Sequence, residues 1–234
     1  MKRIALWTIA AVAVVLVTGP VSGQAYTITI PDADMGAYTA TYFPQGLDSG
    51  DYFQHGADGH LTVWQYKDAV GSAGIYYPPS GVYPDGDPGS NNLIGYSWGG
   101  TIYQVLLGTP LLADTAYTLS VWAGQRAGSS NFAEGSTLEL WVVGGTEPLN
   151  SVELAVPLAG TFVQTILGVP VITDASLFGR DLEIRLVCVG TGTGTKVVDF
   201  DLFELTAIYI PVPEPATMTL LVLGGLAILR RRRT

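Results

Sequence analysis

Several groups of residues in this 234-residue chain have the types and spacing that chemistry uses. Gly95-Tyr96-Ser97-Trp98-Gly99 has the spacing of a nucleophile elbow, in which a strand, a sharp turn and a helix expose a serine served by a later acid and histidine. Both histidines, His55 and His60, precede Ser97, and the following Thr101-Ile102-Tyr103-Gln104-Val105 reads as another strand. The segment is therefore expected to be a turn between two strands. His55, Asp58 and His60 offer zinc donors, but zinc takes three or four ligands at helical or hairpin spacing and no cysteine pair assists, so solvated loop histidines are expected. Asp85-Gly86-Asp87-Pro88-Gly89-Ser90-Asn91 presents oxygen ligands at alternate positions, without the later Glu or central Gly of an EF-hand loop, and Asp and Asn also build turns unaided. Nothing in the spacing marks out one carboxylate pair for glycoside hydrolysis among the acids of the body.

The aromatic residues are the better binding candidates, because flat Trp and Tyr faces pack on the C–H faces of sugars while polar neighbours supply hydrogen bonds. Trp64, Tyr66, Tyr76, Tyr77, Tyr83, Trp98 and Trp141 stand out, each weighed against ordinary core or edge packing. Trp122 and Trp141 lie out of phase with the apolar residues of their strands and are expected to face outward. Cys188 is the single cysteine, so no intramolecular disulfide forms. It shares the alternate-residue set Leu182, Ile184, Leu186 and reads as a small buried hydrophobe.

The elements that must position these residues are strands. Ala116–Trp122, Thr137–Val142, Asp181–Leu186 and Val197–Leu205 alternate apolar and polar residues, with Val198, Phe200 and Leu202 on one face and Asp199 and Asp201 on the other. Tyr26–Ile30, Tyr38–Tyr42, Leu61–Tyr66, Asn92–Trp98, Thr101–Leu107, Val152–Val156 and Thr161–Val169 are further candidates, bordered by Gly, Pro, Asp or Asn. No part of the body has a capped 3.6-residue repeat. The expected fold is all-β: an antiparallel β-sandwich of the jelly-roll type spanning residues 26–210, with a functional loop region over 71–92 and a flexible turn over 190–195.

Both ends differ from this body. Lys2-Arg3, the apolar run 4–17, the break at Gly19-Pro20 and the small residues around Gly23-Gln24-Ala25 read as a secretory signal over 1–25. At the other end, Pro213-Glu214-Pro215 precedes an apolar run from Ala216 to Leu229, then Arg230-Arg231-Arg232-Arg233. That run of 14 residues falls short of the roughly 20 of a comfortable spanning helix, which arginine stems reaching to the interface partly offset. Such a short transmembrane helix suits a temporary anchor with its Arg cluster on the cytoplasmic side. The body holds five basic and 19 acidic residues, a net charge of −14. This excludes nucleic acid and disfavours anionic membrane as partners, while suiting solubility or divalent cations.

The order Pro-Glu-Pro, short apolar run, Arg cluster resembles the sorting signal of PEP-CTERM proteins, substrates of exosortases in Gram-negative bacteria. The resemblance covers the last 22 residues and implies cleavage near Pro213-Glu214-Pro215 by an exosortase-type enzyme, after signal peptidase has acted, with display at the cell surface or in a biofilm matrix. The alternative is an ordinary tail anchor that is never cut. The body, through Tyr117-Thr118-Leu119-Ser120-Val121 and the closing strand from Val198 to Leu205, is similar to galactose-binding-like jelly rolls of the carbohydrate-binding-module type. That likeness implies a structural calcium where first and last strands meet, at Asp32, Asp34, Asp199 and Asp201. The resulting expectation is a non-enzymatic exported protein that binds extracellular polysaccharide. The alternatives are a self-associating coat or biofilm component and a secreted carbohydrate-active hydrolase.

Overall fold

The computed structural model describes residues 23–35, 52–55, 60–61, 63–67, 71–86, 88–89, 93–128, 131–190 and 196–210. Residues 1–22 of the expected signal over 1–25, the candidate strand Tyr38–Tyr42, Asp58 and the whole sorting tail lie outside the described residues, as do the side chains of His55 and His60. Among the described residues no helix is long and apolar enough to cross a membrane.

Among the described residues, fourteen strands form two sheets. In chain order they are β1 (Ala25–Ile28), β2 (Tyr52–His55), β3 (His60–Leu61), β4 (Trp64–Lys67), β5 (Ala73–Tyr76), β6 (Ile94–Ser97), β7 (Gly100–Pro110), β8 (Thr115–Gln125), β9 (Asn131–Phe132), β10 (Thr137–Val142), β11 (Asn150–Glu153), β12 (Thr161–Val169), β13 (Asp181–Cys188) and β14 (Lys196–Tyr209). The first sheet runs β12-β8-β14-β6-β5-β2, with β1 antiparallel to the later part of β14 and β9 parallel to its start. The second runs β11-β10-β13-β7-β4-β3. Apart from β9 on β14, all pairings are antiparallel, so the expected β-sandwich is the architecture found.

The period-two pattern explains the layers, since alternate side chains point to opposite faces. Tyr117, Leu119, Val121 and Ala123 of β8 meet Leu138 and Leu140 of β10 and Ile184 and Leu186 of β13 in one continuous core. Phe200, Phe203 and Trp64 fill one part of it, with Trp64 and Phe203 ring centroids 4.5 Å apart. Gly95 is required here: a Cβ on it would lie 2.1 Å from the Phe200 ring.

One expectation fails inside β14. Strict alternation puts Leu202 on the core face with Phe200, but the pairing with β8 slips between Asp201 and Glu204. Leu202 sits in the left-handed region at φ 49°, so Phe203 takes the core position instead. A bulge adds one residue and re-aims the side chains beyond it. The region 71–92 is also less loop-like than expected, because β5 runs through it.

Candidate active site

The outward face of the first sheet carries a second, smaller apolar cluster: Tyr76, Tyr83, Ile94, Tyr96 and Val197, flanked by Val82, Trp98 and Phe162. Strand parity builds it. Tyr76 of β5, Ile94 and Tyr96 of β6, and Trp122 and Gly124 of β8 all lie on the side opposite the core residues of their strands. Asp199 and Asp201 of β14 project between them. Asp199 is opposite Tyr96 on one side and Gly124 on the other, and Asp201 is opposite Trp122. Segment 78–86, with Pro88 and Gly89, covers this face, and Tyr83 reaches down from it.

Both aspartates are fully buried, at 0% exposure, yet their surroundings differ. Asp199 takes a bidentate contact from Arg126, Nε at 2.6 Å and Nη2 at 2.7 Å, and a hydrogen bond from the Tyr83 hydroxyl at 2.5 Å. Arg126 lies over the Tyr76 ring at 4.1 Å, so its planar charge is used on edge and face together. Burial, then the Asp199 charge and hydrogen bond, push the Tyr83 phenol well above its ordinary value, so it remains a donor. Phe162 stacks on Tyr83 at 4.4 Å and lies across Gly124, where a Cβ would come within 2.6 Å of the ring.

Two backbone donors are among the contacts of Asp201. Gly89 N–H donates to its Oδ2 at 2.8 Å and Leu202 N–H to its Oδ1 at 2.7 Å. The left-handed Leu202 turns that N–H back onto the side chain. A Cβ at Gly89 would stand 2.6 Å from Asp201 Oδ2, so glycine is what lets the covering segment approach. Two carboxylates on one face with different partners are the arrangement by which proteins separate a fixed charge from a working acid or base.

The sequence-derived candidates divide. Tyr76, Tyr83 and Trp98 meet on this face. Trp64 does not: it is a core residue whose Nε1 donates to Asp32 O. Tyr66 is also core, with its hydroxyl on Gly99 O, and Tyr77 packs against the main core. Trp141 faces outward as expected, but on the second sheet, with Arg185 over its ring at 3.6 Å. Ser97 is buried on the core side, its Oγ sharing hydrogen bonds with Gly99, and β7 comes directly after, so the elbow reading ends there. Cys188 is buried, its thiol pushed up to about 12 by burial against the pull of a Ser97 hydrogen bond. Of the residues offered for calcium, Asp199 accepts from Arg126 and Tyr83, and Asp201 accepts from Gly89 N–H and Leu202 N–H. The residue that sequence reasoning missed is Arg126. Its signal was parity: it continues the Trp122, Gly124 series two residues beyond.

The HpiC1-like family, described as HpiC1 cyclase, matches residues 23–206, and the PEP-CTERM protein-sorting motif matches 211–233. The Stig cyclase FisC from Fischerella sp. TAU, crystallised with (3Z)-3-(1-methyl-2-pyrrolidinylidene)-3H-indole, is similar at 22% identity and TM-score 0.64, over 80% of this chain and 100% of its own. A cyclase from Fischerella sp. TAU in complex with 4-(1H-indol-3-yl)butan-2-one is similar at 22% identity and TM-score 0.62, over 80% and 100%. No curated protein matches the chain in sequence. The family match overturns the expectation of a non-enzymatic polysaccharide-binding protein: the matched family is one of cyclases, and its match spans nearly the whole body. The sorting-signal resemblance is met by the motif match.

Proposed function

This chain belongs to the HpiC1-like cyclase family, and on that premise we propose that it is an exported cyclase, closing a ring in an apolar aromatic substrate on the outward face of the first sheet. The observation that carries this reading is Asp201, a carboxyl opposite Trp122 beneath the covering segment, held by two backbone N–H groups. Ring closure of this kind is an isomerisation: the acid delivers a proton to one substrate atom, a carbon–carbon bond forms, and a proton is returned from another atom. Asp201 is the donor and acceptor of that proton. The aromatic walls of Tyr96, Trp98, Trp122 and Phe162 exclude water and favour a developing positive charge, which ring faces attract. Asp199, tied to Arg126 and Tyr83, fixes the frame and takes no part in the transfer. Indole-bearing molecules bound to the Fischerella cyclases support an indole-type substrate.

The test is conversion of 3-substituted indoles carrying an alkene, tracked as a product of unchanged mass and altered retention. Wild-type chain is expected to form such an isomer, and Asp201→Asn to lose about 10²-fold or more of the rate. No isomer from any member of the panel, or an equally active Asn variant, overturns the reading.

The sorting motif supports a route for this enzyme: export by the N-terminal signal, a temporary hold by the tail with Arg230–Arg233 inside, cutting near Pro213-Glu214-Pro215 by an exosortase-type enzyme, and release outward. Mass spectrometry of the mature termini checks it, and an intact 211–234 segment on the surface form would rule out the cut.

A further inference from the structure

The end of the sandwich from which the sorting tail leaves carries an apolar surface of its own. Strand β14 runs out there between β1 and the start of β8. Tyr209 is opposite Thr115, Ile208 is opposite Ala116 on one side and Ala25 on the other, and Ile210 N–H donates to Asp114 O at 2.6 Å. Tyr117, Ala207 and Tyr26 form a row across the three strands, and Leu112 N–H donates to the Tyr117 hydroxyl at 2.9 Å. Tyr26 and Tyr209 lie on the core side of their strands with Ala207, yet both stay exposed because the core stops short of them. With Leu112, Ile208 and Ile210 they make five large apolar side chains, each 37–50% exposed. Asp114 is the only charged residue among residues 24–26, 111–116 and 208–210. Single exposed apolar residues need no partner, whereas a contiguous group marks a contact.

Its position in the chain identifies the partner. Residues 211–215 alone separate Ile210 from the apolar run that opens at Ala216, a linker of at most about 20 Å. While the tail sits in a bilayer, this end of the body is the one beside the headgroups. We propose that it is a docking surface for a zwitterionic bilayer, on which the body rests while the tail holds it. This rests on the anchor reading of the tail and not on the cyclase reading. Tyr26 and Tyr209 have the amphipathic rings that suit the headgroup region, and Leu112, Ile208 and Ile210 leave water there. The 14-residue run is short for a span, and a weak anchor holds stably once a second contact is added to it. Asp114 and the net charge of −14 on the body repel anionic headgroups, so the lipid that fits is zwitterionic. Asp201 lies about 25 Å back along β14, at ~3.3 Å per residue, which keeps the covered face clear of the lipid.

The test places the full chain, tail included, in phosphatidylcholine nanodiscs with a thiol-linked fluorophore at Leu112→Cys or at Leu158→Cys. Cys188 is buried and stays unlabelled. Leu158 is 80% exposed at the opposite end, where β12 starts across from Gln125. A nitroxide on the lipid headgroups is expected to quench the dye at 112 about fivefold or more over the dye at 158, since such contact quenching requires close approach. Adding Tyr209→Ser and Ile210→Ser to the labelled Leu112→Cys chain should remove about half or more of that quenching. Replacing half the lipid by phosphatidylglycerol at about 0.05 M salt should weaken it as well. Equal quenching at the two positions, quenching indifferent to the double substitution, stronger quenching on the anionic discs, or quenching that appears only with two chains per disc would each overturn the surface. Chain that does not co-purify with the discs would overturn the anchor and the surface together, whereas co-purification without the difference overturns the surface alone. The comparison of the two labelled positions stands even if the double substitution disturbs folding.

Discussion

The two outward faces of the sandwich use the same ingredients to different ends. On the first sheet Arg126 lies on Tyr76 and pairs with Asp199. On the second, Arg185 lies on Trp141 and pairs with Glu183, Lys67 stands 3.7 Å from Glu183 and 4.5 Å from the Tyr103 ring centroid, and Glu139 accepts from Trp141 Nε1 at 2.6 Å. Each is a cation, a ring and an acid brought together on one face of a sheet. The difference is cover. Segment 78–86 and Gly89 close the first face, whereas the second keeps Lys67 at 34% side-chain exposure and shares one acid between two cations. A covered triad makes one geometry obligatory, because any missing partner leaves a buried charge. The second face tolerates exchange of partners, because Glu183, although its side chain is only 7% exposed, has a second cation within reach. The face that holds Asp201 in place is the covered one.

Removing the cation breaks the covered face hardest. Arg126→Leu leaves Asp199 buried opposite an apolar side chain, and urea denaturation is expected to show a loss of about 3–5 kcal/mol. The double variant Arg126→Leu, Asp199→Leu should recover most of that loss, since what costs is the orphaned charge and not the missing pair. If the single variant loses no more than an exposed pair would, the two faces are energetically alike and the contrast fails.

The covering segment provides a milder probe. Tyr83→Phe keeps the ring on Phe162 but withdraws the hydroxyl from Asp199, which retains Arg126, so the expected loss is about 1–2 kcal/mol. Alkali sharpens this. Tyr83 has its folded pKa raised above the unfolded value, so its contribution is complete below about pH 10 and declines above it, where the unfolded chain gives up the proton first. Wild-type stability should therefore fall more steeply above about pH 10 than that of Tyr83→Phe. Phenolate absorbance from Tyr83 should emerge only with unfolding. A Tyr83 that titrates in the folded chain near its ordinary value would show that the segment does not seal the face.

How much of the molecule was legible in the sequence depends on the range of the physics involved. Strand parity is local, and it placed Trp122 and Trp141 outward, Cys188 inward, and Asp199 and Asp201 together on the side away from the core. It also turned the Gly95–Gly99 motif into a turn between two strands, because a strand comes next; that turn carries the chain from the first sheet to the second. It failed where one residue breaks the period: the left-handed Leu202 could not be read from its type, so Phe203 was not foreseen in the core. Trp64 was offered as a surface aromatic although parity is silent on which face a short strand buries. Arg126 was one cation among five until β14 brought Asp199 beside it, a pairing 73 residues apart in sequence. The chemistry of the family was not legible at all, since no motif of the body announces a cyclase and the acid that serves the proposed site sits in a plain Asp-Phe-Asp.

The smallest expected effect is on the open face, where it tests the comparison from the other side. Arg185→Leu removes the guanidinium from Trp141 and from Glu183, but Lys67 remains within reach of that carboxylate, and Leu still covers part of the indole. The expected loss is about 0.5–1 kcal/mol, a fraction of that at Arg126 despite the same pairing of cation, ring and acid. Salt separates the two further. Ions screen the Arg185–Glu183 pair, whose side chains are 16% and 7% exposed, more than the Arg126–Asp199 pair at 9% and 0%, so the gap between wild type and Arg185→Leu should shrink on raising sodium chloride from about 0.05 to about 0.5 M, while the gap for Arg126→Leu should hold. Equal salt responses at the two arginines would mean that cover is not what distinguishes the faces, and Asp201 would then lose the rigid setting that an acid working beside Trp122 requires.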